Sequence, residues 1–104
     1  MDEFFTPPDH VKFRAKKLCG NLGEMVDCAV AFLDKGGEGP TKQHSHELGH
    51  FFIVTKGEAY VEIGEERFIL HENESCYVKS FAPHKTGNNI DDTTVMIGIS
   101  IKEK

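Results

Sequence analysis

The chain has 104 residues and a mass of 11.7 kDa, enough for one domain that buries about 65% of the surface its unfolded chain would expose. Its formal charge of -5 and pI near 5.6 give no basic footprint for nucleic acid or an anionic membrane, and no run approaches the roughly 20 apolar residues of a membrane span. Cys19, Cys28 and Cys76 are odd in number and lack paired spacing, which argues against a disulfide framework or a zinc knuckle; with no apolar signal region at the N-terminus, a reduced, cytoplasmic protein is expected.

Taken in chain order, the first nine residues, with Pro7-Pro8, read as an arm whose Phe4 and Phe5 need a partner surface. Lys12, Arg14, Lys16 and Lys17 alternate with apolar residues, as on the wet face of a strand. Val26, Cys28, Val30 and Phe32 alternate with Asp27, Ala29, Ala31 and Leu33. Both sets are mostly apolar, so this strand is expected to be covered on both sides. Residues 51–55, 59–63, 67–71 and 75–79 read as short strands. Gly57, then Gly64-Glu65-Glu66, then Glu72-Asn73-Glu74 separate them as hairpin turns. Val95, Ile97, Ile99 and Ile101 alternate with Met96, Gly98, Ser100 and Lys102, the pattern of a half-buried strand. No amphipathic helical stretch exceeds about two turns, and strand spacing of about 8 to 12 residues predicts an all-β sandwich or barrel.

Chemistry concentrates in four of the six histidines: His44, His46 and His50 in the run His-Ser-His-Glu-Leu-Gly-His, and His84 after Ala82-Pro83. Imidazole is the commonest protein ligand for transition metals. His44 and His46, one residue apart, would project from the same face of an extended strand and offer two nitrogens to one ion. The segment 46–50 also matches the H-E-x-x-H signature of zinc peptidases. That motif works on a helix, where i and i+4 share a face. A helix over 40–52 is opposed by Pro40 before the run and by the strand-preferring Phe51-Phe52-Ile53-Val54-Thr55 after it.

These residues resemble the cupin superfamily. Its first motif places Gly, His-x-His, Glu and a second Gly in series; here stand Gly39, His44-Ser45-His46, His50 in place of the Glu, and Gly57. In the second motif, Asn73 takes the place of the first Gly, Lys79 of the Pro and Phe81 of the second Gly, with His84 and Asn88 in register. Asn can adopt the left-handed turn conformation that Gly supplies, whereas loss of Pro and Gly before His84 alters the loop geometry there. The resemblance covers residues 39–88 by motif and implies a double-stranded β-helix, the cupin or jelly-roll barrel.

It further implies one divalent transition metal per chain (Mn, Fe, Ni or Zn) held by His44, His46, His50 and His84. A three-His, one-Glu set leaves a divalent ion with a net charge of about +1; four neutral imidazoles leave about +2, and room for two further ligands. The expected partner is therefore a small anionic or enolisable organic molecule, turned over by an oxygenase-, isomerase- or lyase-type metalloenzyme. A non-catalytic small-molecule-binding module with a structural or sensing metal is the alternative, and a zinc peptidase a remote one. Phe52, Tyr60, Phe81 and Met96 are expected to line the barrel interior. Glu47 reads as a surface residue, Cys76 as a buried structural thiol, and His10 and His71 as solvent-facing. Pairing through edge strands, aided by the Phe4-Phe5 arm, would give a homodimer.

Overall fold

The computed structural model describes residues 3–103. Ten strands make up its regular structure: β1 (Phe4–Phe5), β2 (Ala15–Lys16), β3 (Gly23–Leu33), β4 (Glu38–His44), β5 (Gly49–Lys56), β6 (Ala59–Ile63), β7 (Glu66–Leu70), β8 (Ser75–Val78), β9 (His84–Asn88) and β10 (Thr94–Glu103). No helix occurs among the described residues. One four-stranded sheet has the order β3-β10-β5-β8 and the other β4-β9-β6-β7, with every pairing antiparallel. Two facing antiparallel sheets with this strand exchange form the expected jelly-roll barrel. The N-terminal arm is a small hairpin of its own, Phe4 opposite Lys16 and Phe5 opposite Ala15. Met1, also assigned to the arm, lies outside the described residues, as does Asp2.

The side-chain period of two decides what enters the barrel. Val54, Val61, Val78, Leu70, Met96 and Leu33 point inward from both sheets and form the core together with Ala59. Val54 and Val61 retain no exposed surface, and Val78 only 1%. At the end of the barrel beside this core, Asn88 joins three connections. Its Nδ2 donates to the carbonyls of Leu33 (2.8 Å) and Asp92 (2.7 Å). Its Oδ1 accepts from the Ile90 N–H (3.0 Å) and from the hydroxyl of the fully buried Thr94 (2.7 Å). The amide thus uses its whole hydrogen-bonding capacity.

Two strands were invisible to sequence patterning, and they carry His44 and His84. β4 (Glu-Gly-Pro-Thr-Lys-Gln-His) is polar without alternation, and it lies at a sheet edge. Pro40 is tolerated there because an edge strand leaves N–H positions unpaired. β9 (His-Lys-Thr-Gly-Asn) has no strand preference of its own. Pairing to β6 along its whole length and to β4 imposes the extended form. β3 also departs from expectation: Met25, Val26, Val30 and Phe32 are 51–66% exposed, so this edge strand is not covered on both sides within one chain.

Asn88→Ala removes the five side-chain hydrogen bonds to Leu33, Asp34, Asp92, Ile90 and Thr94, leaving the buried Thr94 hydroxyl only its bonds with Glu58. It is expected to lower unfolding stability by roughly 1–3 kcal/mol, read as a reduced urea midpoint at unchanged slope.

Candidate metal centre

At the barrel end opposite Asn88, backbone register brings the histidines together. His44, the last residue of β4, lies directly across from His84, the first residue of β9. His50, near the start of β5, faces inward from the opposite sheet between Ser100 and Val78. His46 belongs to the 45–48 loop, because β4 stops at His44. The expectation that His44 and His46 share one strand face is therefore corrected: the loop, rather than strand alternation, aims His46.

The ring centroids of His44 and His46, His46 and His50, and His44 and His84 are 4.6, 4.3 and 5.0 Å apart. Ring nitrogens of His44, His46 and His84 lie within 4.8 Å of one another. His50 Nε2 stands 3.0 Å from the His46 ring nitrogens, and His46 Nε2 3.3 Å from His44 Nε2. Ligands about 2.1 Å from a common ion stand about 2.9–3.4 Å apart; the His44–His46 and His46–His50 separations match that span, while the group whose ring nitrogens all lie mutually close is His44, His46 and His84, without His50.

Protonation is arranged to suit that role. His84 Nδ1 lies 2.8 Å from the Ala82 carbonyl. A carbonyl only accepts, so Nδ1 carries the proton and Nε2 is left as the donor atom toward the cluster. Burial, followed by the fields of His46, His84 and His44, pushes the His50 pKa down from 6.5 to about 4, with Asp27 opposing. Burial likewise lowers His84, against the Ala82 hydrogen bond. Neutral imidazole is the ligating form.

The remaining expected residues divide. Phe52 borders the centre, its ring stacked on His50 at 5.8 Å and 6.4 Å from His84. Met96 faces inward but belongs to the core, two rungs from His50. Tyr60 does not line the interior: it lies on the outer face over Gly87, where a Cβ would overlap its ring, and the Arg67 guanidinium stacks 3.8 Å above it. Inward positions of β6 fall to Ala59, Val61 and Ile63, one residue out of phase with Tyr60.

Phe81 is corrected too. Its side chain is 66% exposed at the rim, and its φ of 66° keeps the left-handed conformation of the glycine it replaces in the motif. Asn73, at the other replaced glycine, has φ 69°. Glu47 is exposed in the loop, and His10 and His71 are exposed and remote from the cluster. Cys76 is half-buried on the inward side beside Phe52, and burial pushes its thiol up to about 12, the state of an inert thiol. Sequence reasoning missed Asp27, which the β3 register turns to the same inner side as His50. The available signal was its phase with Ala29 and Ala31.

A family model for the cupin domain matches residues 29–101, and the chain belongs to that family. Among solved structures it resembles the Thermus thermophilus protein TT1209 (23% identity, 69% of this chain and 68% of that one, TM-score 0.63). It also resembles a predicted oxalate decarboxylase from Thermotoga maritima (15%, 74% and 66%, TM-score 0.67). A third is the cupin domain of an XRE-family transcriptional regulator from Enterobacter cloacae (17%, 75% and 82%, TM-score 0.65). Identities this low establish a shared fold alone. Against a Streptococcus pyogenes protein of unknown function the chain spans 64% of the other's length, and against a Photorhabdus luminescens protein 60%. No curated protein matches the chain.

The absence of any helix across 40–52 removes the geometry that a zinc peptidase needs.

The lowered His50 pKa fixes an acid response for the metal-free protein. Between pH 6.5 and about 4 the unfolded chain holds a proton on His50 that the folded chain lacks, so stability rises with pH through this window. Urea midpoints are expected to be flat above pH 7 and to fall as pH drops through the window, with a shallower fall in His50→Gln.

Proposed function

We propose that this cupin is a mononuclear transition-metal protein acting on a small anionic or enolisable organic molecule, with His44, His46, His50 and His84 as the ligands. The observation that carries this reading is the convergence of His44, His46 and His84, whose ring nitrogens lie within 4.8 Å of one another, with His50 Nε2 3.0 Å from the His46 ring. Nitrogen donors suit Zn, Fe and Ni, with Mn also accommodated, and availability selects among them. Such an ion supplies Lewis acidity or a redox couple.

The chain's own residues do the rest. The Ala82 carbonyl holds the His84 tautomer, and Phe52 walls the centre on its core side. Ala29 and Gly98 lie opposite one another in the sheet and in line with Phe52, whose ring covers Gly98, so Ala29 is the remaining small residue on that rung. The neutral ligand set leaves the ion's charge undiminished and attractive to anions, which serves capture and Lewis-acid catalysis alike.

Elemental mass spectrometry of the purified protein is expected to give about one equivalent of Mn, Fe, Ni or Zn per chain, reduced at least roughly tenfold in His46→Ala. A wild-type chain that stays metal-free after repletion with each ion would sink the reading. A loaded centre that binds small carboxylates without turnover of any would leave the non-catalytic binding module in its place.

We also infer a homodimer. Val30 and Phe32 are 55% and 66% exposed and project outward in line with Ile97 and Val95 of β10, an apolar sheet face that water covers poorly. Phe4, with Arg14 and Lys16 over its ring, and Phe5 remain 54% and 52% exposed and add to the exposed apolar surface. A second copy is the self-complementary occupant. Sedimentation at about twice 11.7 kDa, shifting to the monomer mass in Val30→Lys/Phe32→Glu, is the expected result.

A further inference from the structure

One charged side chain from the barrel wall faces the histidine end, and the centre described above does not use it. In the β3-β10-β5-β8 sheet, Asp27 lies directly opposite Ser100, Ser100 opposite His50, and His50 opposite Val78. Residues on one such rung project to the same side of the sheet. His50 projects into the barrel, against His46 and His84, so Asp27 projects inward as well.

Three observations give that placement a use. Adjacent strands lie about 4.8 Å apart, which puts Asp27 about 10 Å from His50 across the sheet, the span of one small molecule. The next rung is Ala29, Gly98 and Phe52; the Phe52 ring lies over Gly98, and Ala29, on the Asp27 strand, is too small to fill the space on its side. The register slips between Ser100 and Ile101, leaving Val26 without a counterpart; this bulge bends β3 immediately beside Asp27, as bulges next to functional sites do.

No hydrogen bond or ion pair among the described residues occupies the Asp27 carboxylate oxygens. Asp27 is exposed at the open rim. An inward charge on an edge strand can also serve only to discourage edge pairing. The small Ala29 beside it and its place on the His50 rung favour a ligand-facing role.

We propose that Asp27 is the second anchor of the ligand site, so that the favoured ligand carries an oxygen chelating group at one end and a cationic or hydroxyl hydrogen-bond donor at the other. This rests on the metal-centre reading of the four histidines. It adds a selectivity that the histidines alone cannot supply, because a site with only a positively charged ion prefers anions of any kind, whereas a carboxylate at its rim disfavours a second negative charge.

The test uses the full chain loaded with Co(II), whose visible bands report ligands entering the coordination shell. Two probes with the same three-carbon chain are titrated: propionohydroxamate, which only chelates, and β-alanine hydroxamate, which adds an ammonium at the far end. Wild type is expected to bind the ammonium probe roughly two- to fivefold tighter than the neutral one, the range of an exposed ion pair. Asp27→Asn should bring the ratio to about one, with cobalt content and propionohydroxamate affinity unchanged, and Asp27→Glu should restore part of the preference.

Equal ratios in wild type and Asp27→Asn, both loaded, would overturn the Asp27 assignment and leave the metal centre standing. Failure of wild type to take up Co(II) would instead overturn the metal-centre reading, and this proposal with it.

Discussion

Four imidazoles can share one end of a small barrel only if nearly all of them stay uncharged, and the structure is organised around that requirement. Protonated rings at centroid separations of 4.3–5.3 Å would repel one another strongly in a partly dry site. Burial works against the charged form, and it is available because Val54, Val61 and Val78 clamp the two sheets together. Sheets packed face to face lie about 10 Å apart, a gap that ring side chains from both can close. The hydrophobic core therefore sets the distance across which His50 meets His84, and the burial that lowers both of their pKa values makes these two rings better ligands.

How much of this could be read from the chain depends on where the information was stored. The barrel was legible because β5, β6, β7, β8 and β10 carry their own alternation and turn residues; boundaries fell within a few residues of expectation. β4 and β9 were not legible, since seven and five mostly polar residues become strands only through neighbours distant in sequence, a tertiary override of local preference. The histidines at their ends were nevertheless found, because residue type and motif spacing identify ligands without any knowledge of the backbone that holds them. Interior positions were harder. Tyr60 was misplaced because an aromatic in a strand fits either face, and one residue of phase separates lumen from surface. Asp27 was passed over because an acidic residue within an otherwise apolar strand looks like the wet side.

The barrel is asymmetric along its length. At one end Met96, Val54, Leu33 and Leu70 fill the interior, and the Asn88 amide joins the β3, β9 and β10 connections. At the other end the inner face of β3 and β10 presents the small residues Ala29 and Gly98, the latter under the Phe52 ring. Stability is concentrated where no ligand is needed, and space is left where one is. This division places the chemistry near the loop-rich end, where changes to a few side chains alter a site without disturbing the packed half.

The turn 79–83 joins these themes. The Phe81 N–H donates to the His46 carbonyl at 2.8 Å, and His84 Nδ1 donates to the Ala82 carbonyl at 2.8 Å. One short segment thus positions two histidines, one by its backbone and one by its ring. For Phe81 to make its bond, its backbone adopts φ 66°, a conformation that costs a non-glycine residue about 1–2 kcal/mol. The chain tolerates that cost where glycine would avoid it, and the Phe81 side chain stands exposed rather than packed, so core burial does not offset it. The compensation lies in the ligand geometry: a turn relaxed toward negative φ would release the His46 carbonyl and move the Ala82 carbonyl away from His84, loosening two of the four histidines together.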